Sequence, residues 1–172
     1  MKKILIGFII VLVVIAGLAY FLTRQGSGSL ILQITDAPSD LNISKALVTI
    51  SKVQVHASGD NTTEAEWITI VDNAQTFDLI AIKDVKTFLG STNLSEGKYT
   101  QIRLSVDSAA VTINGIDQTL EIPSKVVKLI HPFTISADKD VILTLDFNAQ
   151  ESIRSTGKDK YIMNPTIKVL VE

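Results

Sequence analysis

Tyr99-Thr100-Gln101-Ile102-Arg103-Leu104-Ser105-Val106-Asp107 decides how this chain folds. On an extended backbone Ile102, Leu104 and Val106 fall on one side and Gln101, Arg103 and Ser105 on the other, because successive strand residues point to opposite faces. An apolar row on one side only places that sheet face in a core and leaves the other in water, as antiparallel sheets do. Working outward, Val141, Leu143, Leu145 and Phe147 repeat the pattern. Within residues 45–56 the phase changes: Val48 and Ile50 share one parity, Val53 and Val55 the other. A bulge near Ser51-Lys52 keeps all four on one face without ending the strand.

The same reading predicts strands over 30–35, 45–56, 67–71, 76–82, 99–107, 110–114, 118–122, 126–129, 133–136, 141–148 and 161–171. Asn114-Gly115 between two of them is a strong hairpin signal. Pro165 has no N–H to give a ladder, so the last strand is expected to run along a sheet edge there. One short helical stripe remains, Val85, Phe88 and Leu89 within residues 83–89. Short strands at this density in residues 30–172 fit two packed sheets, an all-β sandwich.

Ahead of this domain lies a different composition. Ile4 to Leu22 is 19 residues without a charge, and 14 of them are Ile, Leu, Val or Phe. As a helix the run would reach about 28 Å, close to the ~30 Å hydrocarbon layer of a bilayer. Lys2 and Lys3 precede it and Arg24 alone follows, which places the N-terminus in the cytoplasm and the rest outside. Residues 1–24 therefore read as an uncleaved single-pass anchor in the cytoplasmic membrane, holding lipid through its helix. Two alternatives stand beside it. Gly17-Leu18-Ala19 has the side-chain sizes of a signal-peptide cleavage site, although it lies inside the apolar run. Gly7-Phe8 after two lysines resembles the processing site of type IV pilin precursors, but Leu12 stands where those carry a glutamate. Residues 25–29, Gln-Gly-Ser-Gly-Ser, read as a flexible linker.

Composition excludes several chemistries. There is no cysteine, hence no disulfide, thiolate metal site, cysteine nucleophile or lipid-bearing cysteine. All 18 acidic residues but only 13 of the 16 basic ones lie beyond residue 29, so the domain carries net −5 and repels nucleic acid.

The ordered motifs identify a resemblance. Leu32-Gln-Ile-Thr-Asp-Ala-Pro38, Val48-Thr-Ile-Ser-Lys-Val-Gln-Val-His56, Trp67, Phe77-Asp-Leu79, Gly97-Lys-Tyr-Thr-Gln-Ile-Arg-Leu104, Leu145-Asp-Phe147 with Ser152-Ile153, and the stretch from Tyr161 to Pro165 occur in the order of one family. The chain resembles the family catalogued as domain of unknown function 4382, seen in archaeal and bacterial surface proteins, over nearly all of residues 30–172. The resemblance implies a secreted or membrane-tethered Ig-like or transthyretin-like antiparallel β-sandwich. It implies no activity and carries over no catalytic residue. Many relatives are lipoproteins, from which this cysteine-free chain departs in its anchoring.

Candidate sites weigh lightly. Asp36 and Asp40, around Pro38, would supply few of the about 6–8 oxygens of a calcium site and read better as a rigid turn. Asp138 and Asp140 flank Lys139 at an expected hairpin tip. His56 and His131 are the only histidines and do not complete a zinc site by themselves. No nucleophile elbow or triad context is present, so no catalytic residue, metal or cofactor is expected, and the protein reads as non-enzymatic. Trp67, the single tryptophan, is expected in the core. Asp78 and Asp146, inside apolar strands, need either water or a partner, and alternation turns Asp146 outward. Asn42, Asn61 and Asn93 head N-x-Ser/Thr sequons in expected loops, consistent with a glycoprotein outside an archaeal or eukaryotic cell.

The function expected from these readings is a structural or interaction module of the cell envelope, with protein partners there. The alternatives are a filament subunit that donates residues 30–35 to a neighbour's sheet, or a sugar- or calcium-binding domain.

Overall fold

The computed structural model describes residues 12–17, 26–36, 43–59, 66–157 and 160–172. Residues 12–17, inside the apolar run, are helical, and no helix among the described residues is long and apolar enough to cross a membrane. The anchor bounds Ile4 and Leu22, and the sequon residues Asn42 and Asn61, lie outside the described residues.

Twelve strands make up the described domain: β1 (Ser27–Asp36), β2 (Ile43–Ala57), β3 (Glu66–Val71), β4 (Gln75–Asp78), β5 (Thr87–Ser95), β6 (Gly97–Ile113), β7 (Ile116–Leu120), β8 (Val126–Ile135), β9 (Asp140–Phe147), β10 (Ile153–Gly157), β11 (Lys160–Met163) and β12 (Ile167–Val171). One sheet has the order β12-β9-β1-β5. The other is built on the long central pair β2 and β6: β3 and β4 share the free side of β2, and β8 and β7 share that of β6. β10 and β11 form a small third sheet, joined to the end of β7 by a bridge between Glu121 and Ile162.

The two large sheets close on one core. Leu30, Leu32 and Ile34 of β1 and Leu143, Leu145 and Phe147 of β9 meet Val48, Ile50, Val53 and Val55 of β2 and Ile102, Leu104 and Val106 of β6. Each wholly buried Leu, Ile, Val or Phe contributes about 1.5–3 kcal/mol relative to exposure. The molecule is thus the β-sandwich that the alternation of residues 99–107 and 141–147 predicts. The bulge falls where the phase change requires: Ser51 is the unpaired residue between Ile50 and Lys52 against β6, and both apolar pairs of β2 remain buried.

Several expectations are corrected. The expected antiparallel sandwich has one parallel ladder, β1 with β9, because β1 sits between β9 and β5. The stripe over 83–89 is not a helix. β5 begins at Thr87, and Leu89 is the extra residue where the ladder with β1 shifts register, its side chain in the core. A seven-residue helix is too short to hold itself, and a whole sheet edge outcompetes it. The strand expected over 76–82 ends at Asp78 and turns. The pairs 99–107 with 110–114, and 126–129 with 133–136, are each one strand; β8 runs through Pro132 because it is an edge strand and needs no donor there. Pro165 instead separates β11 from β12, and β12 does lie at the sheet edge. The expected linker shortens, since Ser27, Gly28 and Ser29 pair with Ser95, Leu94 and Asn93.

Candidate functional site

The solvent face of the six-stranded sheet carries two complete cross-strand rows. Trp67 of β3 lies opposite His56 of β2, His56 opposite Gln101 of β6, and Gln101 opposite Ile130 of β8. One step along, Thr69, Gln54, Arg103 and Lys128 form the second row. These side chains point outward because Val53, Val55, Ile102 and Leu104, their neighbours in sequence, point into the core.

Arg103 organises the face. Its guanidinium carbon lies 3.6 Å from the centroid of the Trp67 ring. Since β2 separates the two strands, the side chain must lie flat across Gln54 and His56. The indole also meets the His56 ring, centroids 4.8 Å apart at 53°. His56 Nδ1 and the Thr100 hydroxyl are 3.0 Å apart, and the Gln54 amide donates to Thr69 Oγ1 at 3.2 Å. Stacking of this kind is worth about 0.5–1 kcal/mol on an exposed surface.

The charge pattern is unbalanced. Arg103 and Lys128 are partners in register, but the Arg103 guanidinium reaches the other way, over Trp67 on β3, so the two cations stand at opposite sides of the face. Among the described residues neither has an acidic partner, and the buried Arg103 Nε has no hydrogen bond. Lys52, in the next row, is paired with Asp72 at 3.2 Å. Ile130 is 82% exposed at the β8 margin. Trp67 is therefore corrected from core residue to half-exposed platform residue: β3 is an edge strand whose outward position it occupies.

The other sequence candidates lie apart from this face. Asp36, at 2% exposure, is buried at the end of β1, where its Oδ1 accepts the Ala149 N–H at 2.9 Å and fixes the one-turn helix Ala149–Ser152. Asp78 is satisfied by the N–H groups of Ala46 and Ile80 at 3.1 and 3.2 Å. Asp138, exposed and with φ of 57°, forms the turn before β9. His131 lies within β8, not in a connection. Asn93 is exposed on edge strand β5, not in a loop, and accepts from the Ser29 hydroxyl at 3.4 Å. No group of three or more His, Cys, Asp or Glu that could hold a metal is found among the described residues.

Two carboxyl groups on the opposite sheet are perturbed. Burial pushes Asp146 above the usual aspartate range; Lys168, its cross-strand neighbour, pulls it back, and Asp84 adds to the rise. Glu172 is held below the usual glutamate range, first by its hydrogen bond from Lys86. Burial, and then the Glu66 charge, raise the Tyr99 phenol, which donates to the Ser95 carbonyl at 3.0 Å and stacks on Phe133.

Fold and surface together define a β-sandwich domain that offers a cation-bearing sheet face. The chain belongs to a family described as Domain of unknown function (DUF4382), whose model matches residues 27–165. No curated protein and no solved structure matches the chain.

The alternation already placed Gln101, Arg103 and Ser105 together on the solvent side of β6. That Lys128 and Trp67 join them was not readable, because register between distant strands is a tertiary property.

Proposed function

We propose that this protein is a non-enzymatic binding module of the cell envelope: an Ig-like sandwich held outside the cytoplasmic membrane by its N-terminal helix and recognising a partner through the solvent face of β3, β2, β6 and β8. The observation that carries this reading is the pair of cations without acidic partners among the described residues, Arg103 held over Trp67 and Lys128 on β8, on one solvent face. A sheet face serving only the fold gains nothing from cations left unneutralised across it, whereas a binding face uses them.

Placement outside rests on the apolar run and the lysines before it. β1 begins at Ser27, so only residues 23–26 separate the end of that run from the sandwich. Four extended residues reach about 14 Å, which keeps the domain close to the bilayer. Asn93 on its exposed edge strand is open to glycan transfer, and Asn42 and Asn61 add two further sequons. The filament reading draws on β1, whose release would break its ladders with β5 and β9 and uncover Leu30, Leu32 and Ile34; the tethered module requires no such cost.

Sealed cells producing the full chain test the reading. Exterior protease should remove the strand domain while a cytoplasmic marker survives. A photocrosslinker at Gln101 should yield adducts that one at Asp117, on the β7 hairpin, does not. A protected domain, or equal adducts from both positions, overturns it.

A further inference from the structure

We infer that the partner of this face is a carboxylate-bearing glycan chain lying across β3, β2, β6 and β8. The inference rests on the proposed placement of the domain outside the cell.

Charge complementarity comes first. In a domain of net −5, the Arg103 guanidinium over Trp67 and Lys128 on β8 stand at opposite sides of the face, without acidic partners among the described residues, and Lys98 is exposed on the same strand as Arg103. Successive carboxylates of one chain crossing the strands would each take one of these separated cations in a charge-assisted hydrogen bond. The planar guanidinium suits that geometry, and its stacking on Trp67 holds the side chain in place before a ligand arrives.

Shape and polarity come next. Four adjacent strands span about 14 Å, and the two rows are about 7 Å apart along the strands. That footprint matches an extended chain better than one small anion. Gln54, Gln101, His56 and Thr100 add neutral donors and acceptors of the kind that pair with sugar hydroxyls. A protein partner would call for an apolar centre; here the large exposed apolar residues of the face, Ile130 and Val126, are on β8 at its margin. Nucleic acid is disfavoured because a duplex carries a charge about every 1.7 Å, more than Arg103, Lys128 and Lys98 neutralise.

The test is affinity electrophoresis of the full chain in neutral detergent, through gels holding polygalacturonate, neutral dextran or inorganic polyphosphate, with flotation on anionic phospholipid vesicles run alongside. The expected result is retardation by polygalacturonate, absent with dextran and weaker with polyphosphate of equal charge. Arg103→Lys, which keeps the charge and loses the fork, should weaken retardation at least tenfold. Lys128→Glu, at an exposed position, should do the same with an unchanged melting temperature. Absence of retardation, retardation as strong by polyphosphate, vesicle binding alone, or variants that bind like the parent would overturn the inference. Protease accessibility in sealed cells is read independently, so the glycan can fail while the outside placement stands.

Discussion

Gly28 offers the sharpest test of where the sandwich begins. By composition it belongs to a flexible stretch, and in a flexible linker Gly→Ala is neutral or stabilises by about 0.4–1 kcal/mol, because the unfolded chain loses freedom. In the structure Gly28 is the second residue of β1, paired with Leu94, and its strand neighbours are tied to the turn before β9 through Asp138 N to Ser27 O at 2.9 Å and Ser29 N to Lys139 O at 3.0 Å. A Cβ on Gly28 would lie 2.4 Å from the Ser136 carbonyl oxygen, 2.5 Å from that of Lys139 and 3.1 Å from Ile135 Cγ2. Two of those atoms are backbone and cannot rotate away. Overpacking of this kind costs about 1–3 kcal/mol. After the unfolded-state gain, a net loss of about 1–2 kcal/mol remains, or about 2–8 °C in melting temperature for a domain of this size. Thermal melting of the full chain in detergent, followed by far-ultraviolet circular dichroism, reads this out. Gly17→Ala, where a Cβ meets nothing within 4 Å, is the control and should leave the transition in place. A Gly28→Ala protein that melts at or above the parent would show that the residue is a linker. The short span between apolar run and sandwich would then be lost.

Three more outcomes are expected. Replacing Asp36 by Ala should cost about 1–3 kcal/mol by stranding the buried Ala149 N–H, while calcium or chelator leaves the parent's melting temperature unchanged; a calcium-dependent shift would restore the metal reading of this loop. A double-mutant cycle of Trp67→Ala and Arg103→Ala should give a coupling of about 0.5–1 kcal/mol; additivity would mean that the stack does not hold Arg103 in place. Asp146 has its carboxyl raised in the fold, so its contribution favours the folded state below the ordinary aspartate range and is lost as pH rises through the raised value. Asp146→Asn should therefore leave the urea midpoint unchanged at pH 3 and raise it at pH 7; a fall at pH 7 would mean that the Lys168 attraction outweighs burial.

Local chemistry determined a great deal before any contact was known. Alternation through Ile102, Leu104 and Val106, and through Val141, Leu143, Leu145 and Phe147, points to a sandwich, because an apolar face on each strand has to be covered. The parity switch between Val48–Ile50 and Val53–Val55 locates the bulge for the same reason, since a one-residue slip would bury polar side chains. The absence of cysteine, the charge balance and the 19-residue apolar run are likewise properties of the string itself. What the tertiary structure alone decided follows from pairing between segments far apart. It set β1 beside β9 in parallel, made a strand of the stripe at 83–89, drew Ser27–Ser29 into the sheet, and moved Trp67 from the expected interior to the solvent side. Most consequentially, it laid Arg103 opposite Lys128. Alternation says which face a residue takes, but register says which residue it meets there, and register is set by the packing of the whole sandwich.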